Sequence, residues 1–332
     1  MGVEMVGTKY QWQELTVDQE ELVKQVADQC DLPLLLARLV VARGNDRLEA
    51  AQHFLKPQLA EVLEPSRLHD MEKAVDRLMA AIEAGELITV YGDYDADGIT
   101  STALMYETLE TVGAKVNYYV PNRFTDGYGP NQAAYQRLIE AGTKLILTVD
   151  NGVSGAAEVA FAKEQGVDVV ITDHHSLPES LPEAAAIVHP QYPGDEYEGG
   201  DLSGVGVAFK LAWALLGEFP SELLDLVAIG EIADVVSLAG ENRVLVALGL
   251  QQLRQGMRPG LHELVKVAQL DEASLTDQDV GFQLAPRLNA LGRLREAGLG
   301  VELLTTFEDD RAAELAQTVD QCNQERQQLV QE

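Results

Sequence analysis

Four short runs rich in β-branched and aromatic residues, LITVY (87–91), KVNYYV (115–120), KLILTVD (144–150) and DVVITD (168–173), are separated by stretches with helical spacing. Runs of this length, alternating with helices, fold as a mostly parallel, doubly wound sheet covered on both faces. The flanking segments keep one rhythm only. From about 18 to 84, LVKQVADQC, LARLVVARG, LEAAQHFL and MEKAVDRLMAAIEAG place apolar residues at three- and four-residue spacings, and Gly85 stops the last helix. A further helix is expected from Ile99 to about Val112, and beyond Gly204 the helical spacing returns. The expected architecture is α/β: an N-terminal helical extension (1–85), a sheet domain (86–240), and a helical region (241–332) ending in a long connecting helix, EDDRAAELAQTVDQCNQERQQLVQE. That last helix is polar and lacks a stop signal, as expected of a chain that continues.

Composition narrows the class. With 332 residues and 46% hydrophobic content the chain can fill a sizeable core. Its two cysteines, Cys30 and Cys322, fit neither a disulfide framework nor a paired-thiolate zinc site. The first residues, MGVEMVGTKYQWQEL, lack the basic and apolar regions of a leader peptide, and no window spans a bilayer, so a cytoplasmic protein without membrane contact is expected. The net charge of −30, from 24 Lys and Arg against 54 Asp and Glu, opposes nucleic-acid binding by the global field. Bound cations and a local basic track can reverse that field within a cleft.

The runs end in chemistry. Directly after LITVY comes GDYDADG, where Asp93, Asp95 and Asp97 crowd three carboxylates into five residues, an arrangement usually relieved by a cation. The motif matches the start of a calcium loop, but that loop needs a glutamate at its twelfth position, here Leu104, and follows a helix rather than a strand. A solvated acidic turn is the bland alternative for GDYDADG alone. The next runs, however, deliver Asp150 and then Asp173, His174 and His175. Carboxyl ends of parallel strands line one crevice, so the three clusters should converge as a metal site. A histidine pair is more often surface or core than ligand; an adjacent carboxylate such as Asp173 shifts the balance, because ligating imidazoles are commonly oriented by one. Asp234 closes the apolar stretch LVAIGEIAD, where an unpaired charge is costly unless it reaches water or a cation.

The succession GDYDADG, TVDNG, TDHH and GEIADVVSL resembles the four motifs of the DHH phosphoesterases. Further segments, HFLKPQLAEVLEPSRLHDMEKAV, PNRFTDGYGPN, LSGVGVAFKLAWAL and APRLNALGRL, resemble the RecJ exonucleases among them, and the resemblance covers nearly the whole chain. It implies that Asp97, Asp150, His174 and Asp234 ligate one metal, that Asp95 and a bridging Asp150 hold a second, and that His175 contacts the scissile phosphate or aids proton transfer. Asp93 and Asp173 become supports of the centre. Tyr91 stands where many relatives carry a metal-binding histidine, which implies a weaker first site. The implied activity is hydrolysis of single-stranded DNA from the 5′ end, in recombination and repair, with single-strand binding protein and a helicase as partners. Mixed carboxylate and imidazole ligands favour two Mn2+ ions, with Mg2+ as the alternative. Relatives of this family also carry a DHH-associated domain and an oligonucleotide-binding barrel, for which the residues after Gly298 leave no room.

Substrate contacts are expected from Arg123, in PNRFTDGYG, and from the basic island of APRLNALGRLRE, namely Arg287, Asn289, Arg293 and Arg295. Exposed ion pairing is the plain alternative for such arginines. Ser203 and Gly204 open a helix whose backbone N–H groups could receive an anion; Phe209 at the third glycine position rules out a dinucleotide fingerprint. Two other functions stay in view. One is a DHH phosphodiesterase acting on short oligonucleotides, cyclic dinucleotides or pyrophosphate, against which the long helical extension speaks. The other is an inactive scaffold like the DHH-related subunit of the eukaryotic replicative helicase, against which the full set of acids and histidines speaks.

Overall fold

The structure, a computed structural model, describes residues 18–127, 129–256 and 258–331. The opening residues used in the leader-peptide argument, and Tyr128 within PNRFTDGYGPN, lie outside them. Two compact units result, Met1–Glu61 and Val62–Glu332. In the first, α1 (Glu20–Gln29), α2 (Leu34–Ala42) and α3 (Leu48–Leu55) bury Val23, Val26, Ala37, Val40, Val41 and Ala51 against one another.

The second unit begins with α4 (Met71–Ala84), which Gly85 ends at φ 64°. This helix packs on α8 (Gly204–Leu216) and on the last strand, so it belongs with the sheet rather than with the extension. The strands are β1 (Leu87–Tyr91), β2 (Lys115–Tyr119), β3 (Thr143–Val149), β4 (Asp168–Thr172) and a three-residue β5 (Ala186–Val188) too short to stand out in the sequence. They pair in the order β2-β1-β3-β4-β5, all parallel. Alternate residues serve opposite faces. Ile88, Val90, Leu145, Leu147 and Val170 join a core with α5 (Ala96–Thr111), α8 and α9 (Leu224–Ala233), whereas Tyr91, Ile146, Val169 and Ile171 pack with α6 (Gln132–Glu140) and α7 (Ala156–Glu164). The strand order reverses between β1 and β3, and at such a switch point the flanking loops part to leave a crevice.

The remaining chain is helical: α10 (Gly240–Gln255), α11 (Pro259–Val267), a single turn α12 (Asp277–Asp279), a π-helical turn (Val280–Leu284), α13 (Ala285–Leu294), α14 (Gly298–Thr305) and α15 (Asp309–Gln331). α10 packs on α9, and α15 on α11 and α13, so these helices complete the sheet-bearing unit. Among the described residues no helix is long and apolar enough to cross a membrane.

Candidate metal centre

The helix after β1 starts at Ala96, three residues earlier than its apolar spacing suggested, because Asp95 caps it by accepting the Gly98 N–H at 2.9 Å. Asp97 therefore sits in a helical first turn, buried, and Asn289 of α13 accepts the Ala96 N–H at 2.8 Å beside it. Asp93 is buried and accepts the Tyr94 N–H at 2.8 Å. Asp150 follows β3 in a left-handed conformation, φ 60°, which swings its carboxylate out of the strand direction. After β4, Asp173 is saturated: one oxygen accepts the backbone N–H groups of His174 (2.7 Å) and His175 (3.1 Å) and lies 2.8 Å from His175 Nδ1, while the other accepts the Val153 N–H at 3.0 Å.

These groups meet around His174. Its Nε2 lies 3.1 Å from Asp150 Oδ1 and 3.8 Å from Asp97 Oδ2, and its Nδ1 lies 3.8 Å from Asp234 Oδ2. Three sets bring ligand atoms within 4.8 Å of one another: Asp97, His174 and Asp234; Asp93, Asp95 and Asp150; and Asp150, His174 and His175. Asp150 and His174 each belong to two sets. Asp150 Oδ1 and His174 Nε2 are buried and close, yet neither makes a hydrogen bond. Two such donors facing one another fit a shared divalent cation.

Electrostatics support that fit. Burial, followed by repulsion from Asp234, pushes Asp97 well above the carboxylate range; burial and then Asp97 do the same to Asp150. Burial and Asp95 raise Asp93 to about 7, and burial raises Asp234. Burial also depresses His174, keeping the imidazole neutral as a ligand must be. The hydrogen bond to Asp173 lifts His175 to about 9. Asp173 is the exception among the acids: burial opposes its charge, but His175 and the backbone donors hold it below the ordinary range.

The expected substrate residues divide. Arg123, Asn289 and Arg293 line one recess of about 200 Å³ that also holds Asp93, Tyr94 and Asp95.

 A separate groove of about 380 Å³ lies beside α4, lined by Met71, Val75 and Trp213 among others, and none of the expected site residues lines it. In the 200 Å³ recess the Arg123 guanidinium lies 4.6 Å from the centre of the Tyr94 ring and donates to its hydroxyl at 3.0 Å.

Other expected residues are placed apart from that recess. Arg287 is not among the residues lining the recess: it pairs with Asp320 at 2.9 Å and donates to the Gln283 carbonyl, tying α13 to α15, and Arg295 pairs with Glu325 on the same helix. Ser203 and Gly204 are buried, and the anion received by their helix terminus is Asp97, whose two oxygens accept the N–H groups of Gly204 (2.7 Å) and Val205 (2.9 Å). Gly204 is tight as well as buried, since a Cβ there would lie 2.4 Å from Asp150 Oδ1. Tyr91, finally, is turned away from the acids: its hydroxyl donates to the Gly129 carbonyl at 3.1 Å, and its ring packs against Tyr135 and Tyr119.

The sequence offered no hint of His189. Fully buried, it has Nε2 2.9 Å from the His175 carbonyl oxygen while Nδ1 accepts the Gln191 N–H at 3.0 Å, so Nε2 carries the proton and donates. It braces the histidine loop from behind. A lone histidine before Pro190 carries no spacing signal, because its partners are backbone groups.

Acids and histidines thus gather at the switch point of a parallel α/β sheet, and residues 87–231, which build it, match the family described as "DHH family, N-terminal domain". The chain belongs to the RecJ family within that group. It is 48% identical over 326 residues to the single-stranded-DNA-specific exonuclease RecJ of Bacillus subtilis, covering 98% of this chain and 41% of that protein. The RecJ of Escherichia coli is 41% identical over 327 residues, covering 93% and 56%. A crystal structure of exonuclease RecJ bound to manganese superposes with a TM-score of 0.75 at 37% identity, over 82% of this chain and 69% of that one. The Mn2+ complex of Thermus thermophilus RecJ gives 0.79 at 34% identity, over 93% and 44%. The chain thus spans about half the length, or less, of the curated relatives named here.

Proposed function

We propose that this chain carries the catalytic centre of a manganese-dependent exonuclease that hydrolyses single-stranded DNA from the 5′ end in recombination and repair. The observation that supports this reading is the recess in which Asp93 and Asp95 face Arg123, Asn289 and Arg293. Cations for a phosphodiester and carboxylates for metal ions share one small space within a chain of net charge −30. Asp97, Asp150, His174 and Asp234 would hold one ion, and Asp95 with the bridging Asp150 the other, with Mg2+ as an alternative occupant; Asp93 and Asp173 support them. Divalent ions held by these residues would supply Lewis acidity, activating water near neutral pH and offsetting phosphate charge. Arg123 and Arg293 bind the strand through its phosphates, and Asn289 holds the first turn of α5 at the edge of the recess. His175, held protonated by Asp173, contacts the scissile phosphate or passes a proton to the departing oxygen.

The same reading takes residues 1–85 as helical, with the last of these helices packed on the sheet, 86–240 as the catalytic part and 241–332 as helices that complete the sheet-bearing unit and end in the connecting helix, takes the protein as cytoplasmic, and takes single-strand binding protein and a helicase as its protein partners. Single strands labelled at the 5′ or the 3′ end, incubated with Mn2+ and resolved on a gel, test the central claim. The 5′ label should appear at once in the shortest products, with EDTA stopping the reaction. Early release of the 3′ label, or turnover that survives EDTA, would overturn it.

A further inference from the structure

Beside the metal centre lies a carboxylate that the centre does not use. Glu231, on α9, is completely buried in the apolar run LVAIGEIA and lies outside the three sets of converging ligand atoms. An acid in such a place is costly unless it makes specific contacts. Glu231 Oε1 accepts the Ser203 N–H at 3.3 Å, and a Cβ on Gly206 would lie 2.2 Å from that same oxygen, so the carboxylate fills the space that glycine leaves open. Ser203 caps α8 by accepting the Gly206 N–H at 3.3 Å. Between these two residues stand Gly204 and Val205, whose N–H groups both go to Asp97. The first turn of α8 is therefore gripped on one edge by Asp97 and on the other by Glu231.

We infer that Glu231 is a positioning residue for the metal centre: by fixing the first turn of α8 it fixes the two N–H groups that orient the Asp97 carboxylate toward His174 and Asp234. This rests on the reading of the site as a divalent-metal centre and deepens it. What Glu231 contributes is an acceptor and a shape. A glutamine keeps both; a leucine keeps only the volume; an alanine at Gly206 retains the acid but displaces it.

The test is Mn2+ titration of the protein, with free Mn2+ read by electron paramagnetic resonance, alongside thermal melting in EDTA. Glu231→Gln should bind Mn2+ like the wild type. Glu231→Leu and Gly206→Ala should each weaken binding by about ten- to a hundred-fold, the range for groups that orient metal ligands. Melting of Glu231→Leu in EDTA should be unchanged or raised, because replacing a buried acid by an apolar side chain is often neutral or stabilising. A folded Glu231→Leu variant with wild-type affinity would overturn the inference. So would a Glu231→Gln variant that loses as much affinity as Glu231→Leu, since charge rather than position would then be at work. If Glu231→Leu does not fold, Gly206→Ala decides against Glu231→Gln by the same criteria. Absence of Mn2+ binding by the wild type would overturn the metal-centre reading itself, an outcome distinct from either failure of Glu231.

Discussion

The metal centre and the basic island of α13 show two ways in which polar residues are placed. The groups of the centre stand at ends of strands or helices that the fold itself directs toward the β1–β3 crevice: Asp93 and Asp95 after β1, Asp97 in the first turn of α5, Asp150 after β3, His174 after β4, Asp234 after α9. Topology brings them together before any side chain chooses a rotamer. The arginines of α13 lie on one helix, and which of them reaches the recess depends on what packs against each helical face. α15 claims Arg287 and Arg295 through Asp320 and Glu325, leaving Arg293 beside Asp93 and Asp95. Proximity in sequence therefore means less for the island than strand order does for the centre.

The sharpest way to break this contrast is to remove the group shared by two ligand sets. Asp150→Ala should fold as the wild type by circular dichroism yet lose turnover on single-stranded DNA. A rate within about ten-fold of wild type, a barrier change of only about 1.4 kcal/mol, would show that the convergence is not catalytic. A smaller perturbation removes none of these groups. Gly204→Ala puts a methyl 2.4 Å from Asp150 Oδ1, so a buried ligand has to move. Thermal melting in EDTA should report a loss of about 1–3 kcal/mol, the ordinary cost of overpacking, and Mn2+ affinity should fall with it. Unchanged affinity in that variant would mean that Asp150 can shift without consequence.

How much of this was legible in the sequence follows the same division. The sheet, its parallel sense and the convergence of the GDYDADG acids with Asp150 and with Asp173, His174 and His175 could be read because strand runs and their terminal residues carry a periodic signal, whereas Asp234, at a helix end, joined the set only through the resemblance to the DHH motifs. The start of α5 at Ala96 could not, since DADG looks like a loop until Asp95 is seen to cap it. Nor could the destination of the α8 terminus, because Asp97, which receives it, lies 107 residues before Gly204. Glu231 and His189 interact with backbone groups 28 and 14 residues away, which no motif records. A glutamate inside LVAIGEIA was nonetheless a signal, since an acid among apolar residues demands an explanation.

The island is sharpened by a three-way comparison of single-strand affinity against salt. Arg123→Ala and Arg293→Ala, whose side chains line the recess, should each weaken binding and reduce the salt slope by about 0.7, the value for one phosphate contact on a single strand. Arg287→Ala should leave the slope alone and instead destabilise the fold by about 1–3 kcal/mol through loss of its pairing with Asp320. Equal changes of slope in all three variants would erase the distinction drawn between the faces of α13.

The smallest expected effect concerns protons and metal competing for the same site. Asp93 is raised to about 7 by burial and Asp95, so in the metal-free protein it contributes stability that is present below its ordinary value of 3.8 and lost as pH rises through about 7. A divalent ion reverses this, because it favours the charged carboxylate and displaces the proton. His175, raised to about 9 by Asp173, contributes stability that is present below its ordinary value of 6.5 and lost as pH rises through about 9; where it is no metal ligand this change is common to the melts with and without metal. Lys210, depressed by burial although it pairs with Glu241, pulls in the opposite direction, but it lies outside the ligand sets and acts equally with and without metal. The useful quantity is therefore the stabilisation gained on adding Mn2+, which should grow by at least about 1 kcal/mol between pH 6 and pH 8 as protons on Asp93, and on Asp97 and Asp150, which burial also raises, cease to compete. Denaturant melts at the two pH values, with Mn2+ and with EDTA, give that difference directly. A gain that stays flat or shrinks with rising pH would mean that Asp93 holds no proton for the metal to displace, and would remove it from the groups coupled to the centre.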